Sequence, residues 1–150
     1  MDIRVQEAAF DYGAECARFA DGRSGIGAVV TFCGVVRNDG GSLQAMEIEH
    51  YPGMTERALR QIAEEAGKRW ALADCLIIHR YGRLTPGERI MMVATASAHR
   101  ADAFAAADFL MDYLKSRAPF WKKESTADGS EWVAAKSADE AALARWSRRA

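Results

Sequence analysis

The chain has 150 residues, 49% hydrophobic and 27% charged, a globular composition of a size that one core can serve. Its net charge of −1 excludes a whole-chain electrostatic grip on nucleic acid or on an anionic membrane, so any anion site must be local. Cys16, Cys33 and Cys75 are scattered, with no C-x-x-C; this argues against a disulfide scaffold and a zinc knuckle, and suits a reducing cytosol. No apolar signal-peptide segment opens the chain, and no apolar run reaches the roughly 18 residues of a membrane span. We expect one cytoplasmic domain over 1–150.

Ile3 and Val5 alternate in a short first strand. Asp11 is a candidate cap for a helix running to about Ala20. The run 25–37, β-branched and bounded by glycines, reads as a largely buried strand, and Asn38-Asp39-Gly40-Gly41 as a turn. Met46, Ile48 and His50 alternate with Glu47, Glu49 and Tyr51 in a half-exposed strand. After the break at Tyr51-Pro52-Gly53, Leu59, Ile62, Ala63, Ala66 and Trp70 stripe a helix from about Thr55 to Trp70. Strands follow at 75–81 and 89–97. The clearest helix spans 100–117, with Ala103, Ala107, Leu110, Met111 and Leu114 on one face, and Pro119 stops it. Strands at 120–125 and 130–134 form a hairpin around Ala127-Asp128-Gly129, and Ser137 with Glu140 is a capping box for a last helix. Strands and helices mix without βαβ alternation, which predicts an α+β fold with a mostly antiparallel sheet.

Lysine is scarce, five against fifteen arginines, yet Lys115, Lys122 and Lys123 fall within nine residues. Lys115 follows Met111 by one helical turn, at the border of the buried face. Lys122 has the strand parity of Phe120, and Lys123 that of Trp121. Two lysines at a core border would repel each other and be partly desolvated, and both effects lower the pKa of an amine. Such an amine can donate or accept a proton, or steady a developing negative charge. The competing reading is a solvated face with Lys115 paired to Asp112. His99-Arg100 opens the long helix, where free N–H groups attract anions, although capping alone also accounts for His99. Arg37 ends an apolar strand, either reaching into a site or marking an exit to water. Spacing favours structural roles for His50 and His79, and a core role for Cys33. No metal-ligand spacing, dinucleotide fingerprint or P-loop is present. Single-stranded nucleic-acid binding through 115–123 and its aromatics is a rival that the acidic remainder of the chain opposes.

In order along the chain, the blocks GAVVTFCGVVRN (27–38), EIEHYPGMTE (47–56), IHRYGRLTPGE (78–88), ATASAHRADAF (94–104), FLMDYLKSRAPFWKKE (109–124) and Trp132-Val133 resemble the catalytic (large) subunit of molybdopterin synthase. The resemblance implies an α/β hammerhead fold with additional antiparallel strands. It implies a sulfurtransferase that converts cyclic pyranopterin monophosphate (precursor Z) to molybdopterin. The two sulfurs arrive on the thiocarboxylated C-terminus of a small ubiquitin-like subunit, and the large subunits form the homodimer core of a heterotetramer. The catalytic lysines fall on Lys115 and Lys122. Substrate contacts fall on Val35, Val36, Arg37, His99, Arg100, Lys123 and Glu124. Lys136 stands where some members carry an arginine that reaches the neighbouring subunit's site, so the charge is kept and the bidentate geometry lost. No cofactor or metal is implied, and a persulfide on Cys33 or a binding module without activity are the remaining alternatives.

Overall fold

The computed structural model describes residues 1–133 and 137–148, with the side chains of Asp39, Ser137 and Arg148 left aside. The described elements are β1 (Asp2–Gln6), α1 (Tyr12–Arg18), β2 (Ala28–Val35), β3 (Leu43–His50), α2 (Met54–Arg69), β4 (Asp74–Arg80), β5 (Gly82–Leu84), β6 (Arg89–Ser97), α3 (Arg100–Ser116), β7 (Phe120–Thr126), β8 (Gly129–Val133) and α4 (Ser137–Ala144), followed by a 3-10 turn at Arg145–Arg148. They form two sheets, ordered β1-β4-β6-β2 and β5-β3-β7-β8. Only the β1–β4 pair is parallel among the described strands. This is the α+β, mostly antiparallel class expected from the sequence.

The central strands β4 and β6 are buried almost throughout because both faces of their sheet are covered. Cys75, Ile77, Met91 and Val93 point into the main core with Leu59, Ile62 and Ala63 of α2 and Phe109, Leu110 and Leu114 of α3. Leu76, Ile78, Met92 and Ala94 point the other way, against Phe10, Tyr12, Cys16 and Phe19 around α1. The Asp11 carboxylate accepts from the Ala14 N–H at 3.0 Å and caps α1. The α2 stripe is buried as its period predicts.

The run 25–37 departs from expectation. β2 is an edge strand, and Val29, Phe32 and Val35 are 42–49% exposed. A continuous apolar run marks a buried strand only where other layers cover both of its faces. Here exposure falls on both faces, at Val29 and at Phe32, whose side chains point opposite ways. β5 went unread because it is three residues long and begins at Gly82, whose φ of +93° breaks the preceding pattern. The pairing β8 ends at Val133, so the expected extension to 134 lies outside the described residues, as does the capping role of the Ser137 side chain.

Candidate active site

The lysine cluster is assembled where α3 ends and β7 begins. The N–H groups of Arg117 and Ala118 both donate to the Tyr113 carbonyl, at 2.8 and 3.1 Å, and Pro119 ends the helix. The Thr55 hydroxyl, fully buried at the start of α2, donates to the Pro119 carbonyl at 3.0 Å and accepts from the Tyr51 N–H at 2.9 Å. It clips the β3–α2 corner to the start of β7. From there the register is set: His50 opposite Phe120, Glu49 opposite Trp121, Ile48 opposite Lys122 and Glu47 opposite Lys123. Ile48 is 1% exposed, so Phe120, Lys122 and Glu124 share the inner face. Trp121 and Lys123 share the outer one, where the Lys123 ammonium lies over the Trp132 ring at 5.5 Å. Strand parity thus separates the two adjacent lysines as read from the sequence.

Beneath Lys122 the Phe120 ring stacks on His79, 3.8 Å between centroids and 18° from parallel. His79 is buried, and its Nδ1 pairs with the Arg80 carbonyl at 2.8 Å, so Nδ1 carries the proton. Burial pushes its pKa down to about 3, and the nearby charges of Lys122 and His50 act in the same direction. His79 is therefore a neutral packing group, the structural role expected of it. The Lys122 ammonium is lowered to about 8, first by burial and then by the charge of Lys115; Asp139 of α4 opposes the shift. Roughly a tenth of such an amine is neutral at pH 7, against less than a thousandth for an unperturbed lysine. Both forms are thus within reach of a proton transfer near neutrality. Cys33 behaves oppositely to a nucleophile, since burial pushes its thiol up despite the nearby Arg89. That leaves the persulfide reading without support.

The remaining sequence candidates do not all gather here. β2 pairs Ala28 with Ser97 beside the start of α3 and Val35 with Arg89 at its other end, so buried Val36 and exposed Arg37 lie toward the lysine end. The Val36 N–H donates to Glu88 at 2.9 Å and its carbonyl accepts from Gly87 at 2.8 Å, which occupies the backbone expected to touch substrate. Val35 follows a bulge and its side chain faces solvent. His99 and Arg100 are exposed at the opposite end of α3. Fifteen helical steps separate Arg100 from Lys115, about 22 Å. Gly27 holds that far end: its N–H donates to Ser97 at 3.0 Å, and a Cβ there would collide with the Ala98 carbonyl. Lys136 lies outside the described residues. Among the described residues no cluster of histidine, cysteine and carboxylate groups is arranged to hold a metal, and no helix is long and apolar enough to cross a membrane.

Residues 5–117 match the family described as MoaE protein. The chain belongs to the MoaE family. A molybdopterin synthase catalytic subunit from Cereibacter sphaeroides is 70% identical over 146 residues, covering 97% of this chain and 100% of that protein. The solved molybdopterin biosynthesis MoaE protein from Burkholderia ambifaria superposes with a TM-score of 0.83 at 55% identity, covering 97% of each chain. Molybdopterin synthase from Staphylococcus aureus superposes at 0.79 with 32% identity, over 87% of this chain and 96% of that one. As a MoaE-family member the chain is an enzyme subunit, and its chemistry is the sulfur transfer of molybdopterin synthase in molybdenum cofactor biosynthesis.

Proposed function

We propose that the chain is one catalytic domain that works in the cytoplasm as the homodimer core of a heterotetramer, and that its substrate is cyclic pyranopterin monophosphate (precursor Z). Each site would use Lys115, Lys122, Arg37 and Glu124 of one protomer with the partner subunit's His99 and the partner subunit's Arg100. The dimer accounts for the separation along α3: a two-fold axis can bring one end of the helix to the other end of its mate, which no bending of a single helix does. Lys136 would lend its charge at the same seam, and Lys123 would steady the strand from its outer face.

The sulfur would arrive as the C-terminal thiocarboxylate of a small ubiquitin-like subunit. Its sulfur attacks a substrate carbon, and the departing oxygen takes a proton from an ammonium of the lysine pair. Water then cleaves the acyl–sulfur bond left between tail and pterin, which returns the tail as a carboxylate. Two rounds leave the two sulfurs of the dithiolene. The observation that carries this reading is the half-buried Lys122 amine, tuned to about 8 beside Lys115. An anion-binding site alone has no need of a lysine held so close to neutrality.

Subunit mixing tests it. Lys122→Ala and Arg100→Ala chains, each inactive alone with thiocarboxylated partner and precursor Z, should regain about a quarter of wild-type turnover when co-assembled, because mixed dimers carry one intact site. Absence of complementation from verified mixed dimers would sink the shared site. Near-wild-type turnover by Lys122→Ala alone would sink the catalytic assignment.

A further inference from the structure

The C-terminal segment is fastened along α3, where Arg145 meets Asp108 and Asp112 at 2.6 and 2.8 Å and the Trp146 indole donates to Asp112 at 2.6 Å. That flank of the helix is covered by the chain itself. The outer edge of β2 has no such cover: no described strand continues the sheet beyond it, and an unpaired strand edge is a template for another chain. Four described strands stand at sheet edges, β1, β2, β5 and β8. Three carry the charges that commonly blunt an edge, with Asp2 and Arg4 in β1, Arg83 in β5 and Glu131 in β8. β2 is the longest of the four at eight residues, and its AVVTFCGV holds neither a charged side chain nor a proline. Its exposed large apolar groups are Val29, Phe32 and Val35. Spaced three apart, they are symmetric about Phe32.

We infer that β2 pairs antiparallel with the β2 of a second copy of the chain, about a two-fold axis at Phe32, and that this register brings the two halves of each site together. The choice of a second copy rests on the dimer of the proposed function. A two-fold contact sets residue i against j and j against i. Centred on Phe32, it sets Val29 opposite the partner subunit's Val35, and Gly27 opposite the partner subunit's Arg37. The exposed groups of the two strands then cover one another on both faces of the joined sheet. An axis at Thr31 or at Cys33 would instead leave Val35 opposite Gly27, or Val29 opposite Arg37. The Gly27 N–H donates to Ser97 at 3.0 Å, two residues before His99, so the partner subunit's Arg37 arrives beside the start of α3. By the same symmetry the Arg37 of this chain, toward its lysine end, meets the partner subunit's His99 and the partner subunit's Arg100. Each meeting point lies about 17 Å along the strand from the axis, so the seam builds two separate sites.

Disulfide crosslinking of the purified full chain, in a Cys33→Ser background, reads the seam. Residues directly opposite in an antiparallel pair have Cα atoms about 4.5–5.5 Å apart, within reach of a disulfide. With copper phenanthroline as oxidant, Phe32→Cys should link to its own copy across the axis. A mixture of Val29→Cys and Val35→Cys chains should link one to the other, each bond located by peptide mass spectrometry. Val29→Cys alone should form no bond to its own copy, because the two positions sit about 20 Å apart along the seam. Phe32→Asp places a charge at the axis. It should reduce the sedimenting mass from two chains to one with the far-UV circular dichroism kept, and lower turnover by about tenfold or more as the partner's contacts are lost. Phe32→Leu should keep the dimer. A chain that sediments as a dimer yet gives no Phe32→Cys bond, or that stays dimeric as Phe32→Asp, overturns the seam. If those dimers still complement between Lys122→Ala and Arg100→Ala, the shared site stands without it. Phe32-linked dimers that fail to complement keep the seam and remove the shared site, so the two readings fail separately.

Discussion

The two ends of α3 lie beside cations of different kinds. At the N-terminal end His99 and Arg100 are exposed, joined to unpaired helix N–H groups that favour an anion. At the C-terminal end Lys122 is half-buried over a neutral His79–Phe120 stack and its ammonium is lowered to about 8. Solvated charge attracts and orients a phosphate. Desolvated charge exchanges a proton near neutral pH. Recognition and proton transfer ask opposite things of a basic side chain, and under the proposed function one protomer would meet both by keeping the two groups a helix-length apart.

The largest effect tests that contrast at the lysine end. Lys122→Arg keeps the charge but cannot release a proton near neutrality. Turnover in the reconstituted assay should fall by about 100-fold or more, the scale of general acid–base catalysis. If arginine sustains turnover, the two ends do not differ in kind. At the other end Arg100→Lys keeps a solvated charge, and steady-state kinetics should show mainly a raised KM, about tenfold for one lost charge-assisted bond.

Stability sharpens the same distinction. Burial lowers the folded-state pKa of Lys122, so the unfolded chain binds more protons between about pH 8 and 10.5, and stability rises with pH across that window. Below pH 8 the full penalty is present. Lys122→Met should therefore raise denaturant-measured stability at pH 7 by about 1–2 kcal/mol while abolishing activity, and the gain should shrink as pH climbs toward 10.5. At the far end Gly27→Ala should do the reverse. It should cost about 1–3 kcal/mol as the Ala98 carbonyl is displaced, with the Lys122 titration unmoved. The smallest effect belongs to the outer face: Lys123→Ala loses an exposed contact with Trp132 and should change turnover by no more than about fivefold.

Much of this contrast was written in the local pattern. The stripe Leu59, Ile62, Ala63, Ala66 located α2, and two-residue parity turned Lys122 inward and Lys123 outward, because helix and strand periods are local properties. The separation of Arg100 from Lys115 was legible as well, as a count of helical steps, but a family resemblance that names both as site residues hides it. What local pattern does not carry is partnership across long separations. The parallel pairing of β1 with β4, the stacking of His79 on Phe120, the clip from Thr55 to Pro119 and the ion pair of Arg117 with Glu140 all join residues with no sequence period in common. The exposure of β2 was misread for the same reason: a strand does not encode how many neighbours it has.

The chain's four tryptophans divide into two optical populations. Trp121 and Trp132 are 47% and 56% exposed and will emit toward the red. Trp70 and Trp146 meet edge to face at 5.5 Å, with Arg69 against both rings and the Trp146 indole bonded to Asp112, so their emission will be shifted blue and coupled. The fastening of the C-terminal segment along α3 thus has its own spectroscopic signal. Undocking would appear as loss of the blue component, readable in real time without a label while the exposed pair serves as internal standard.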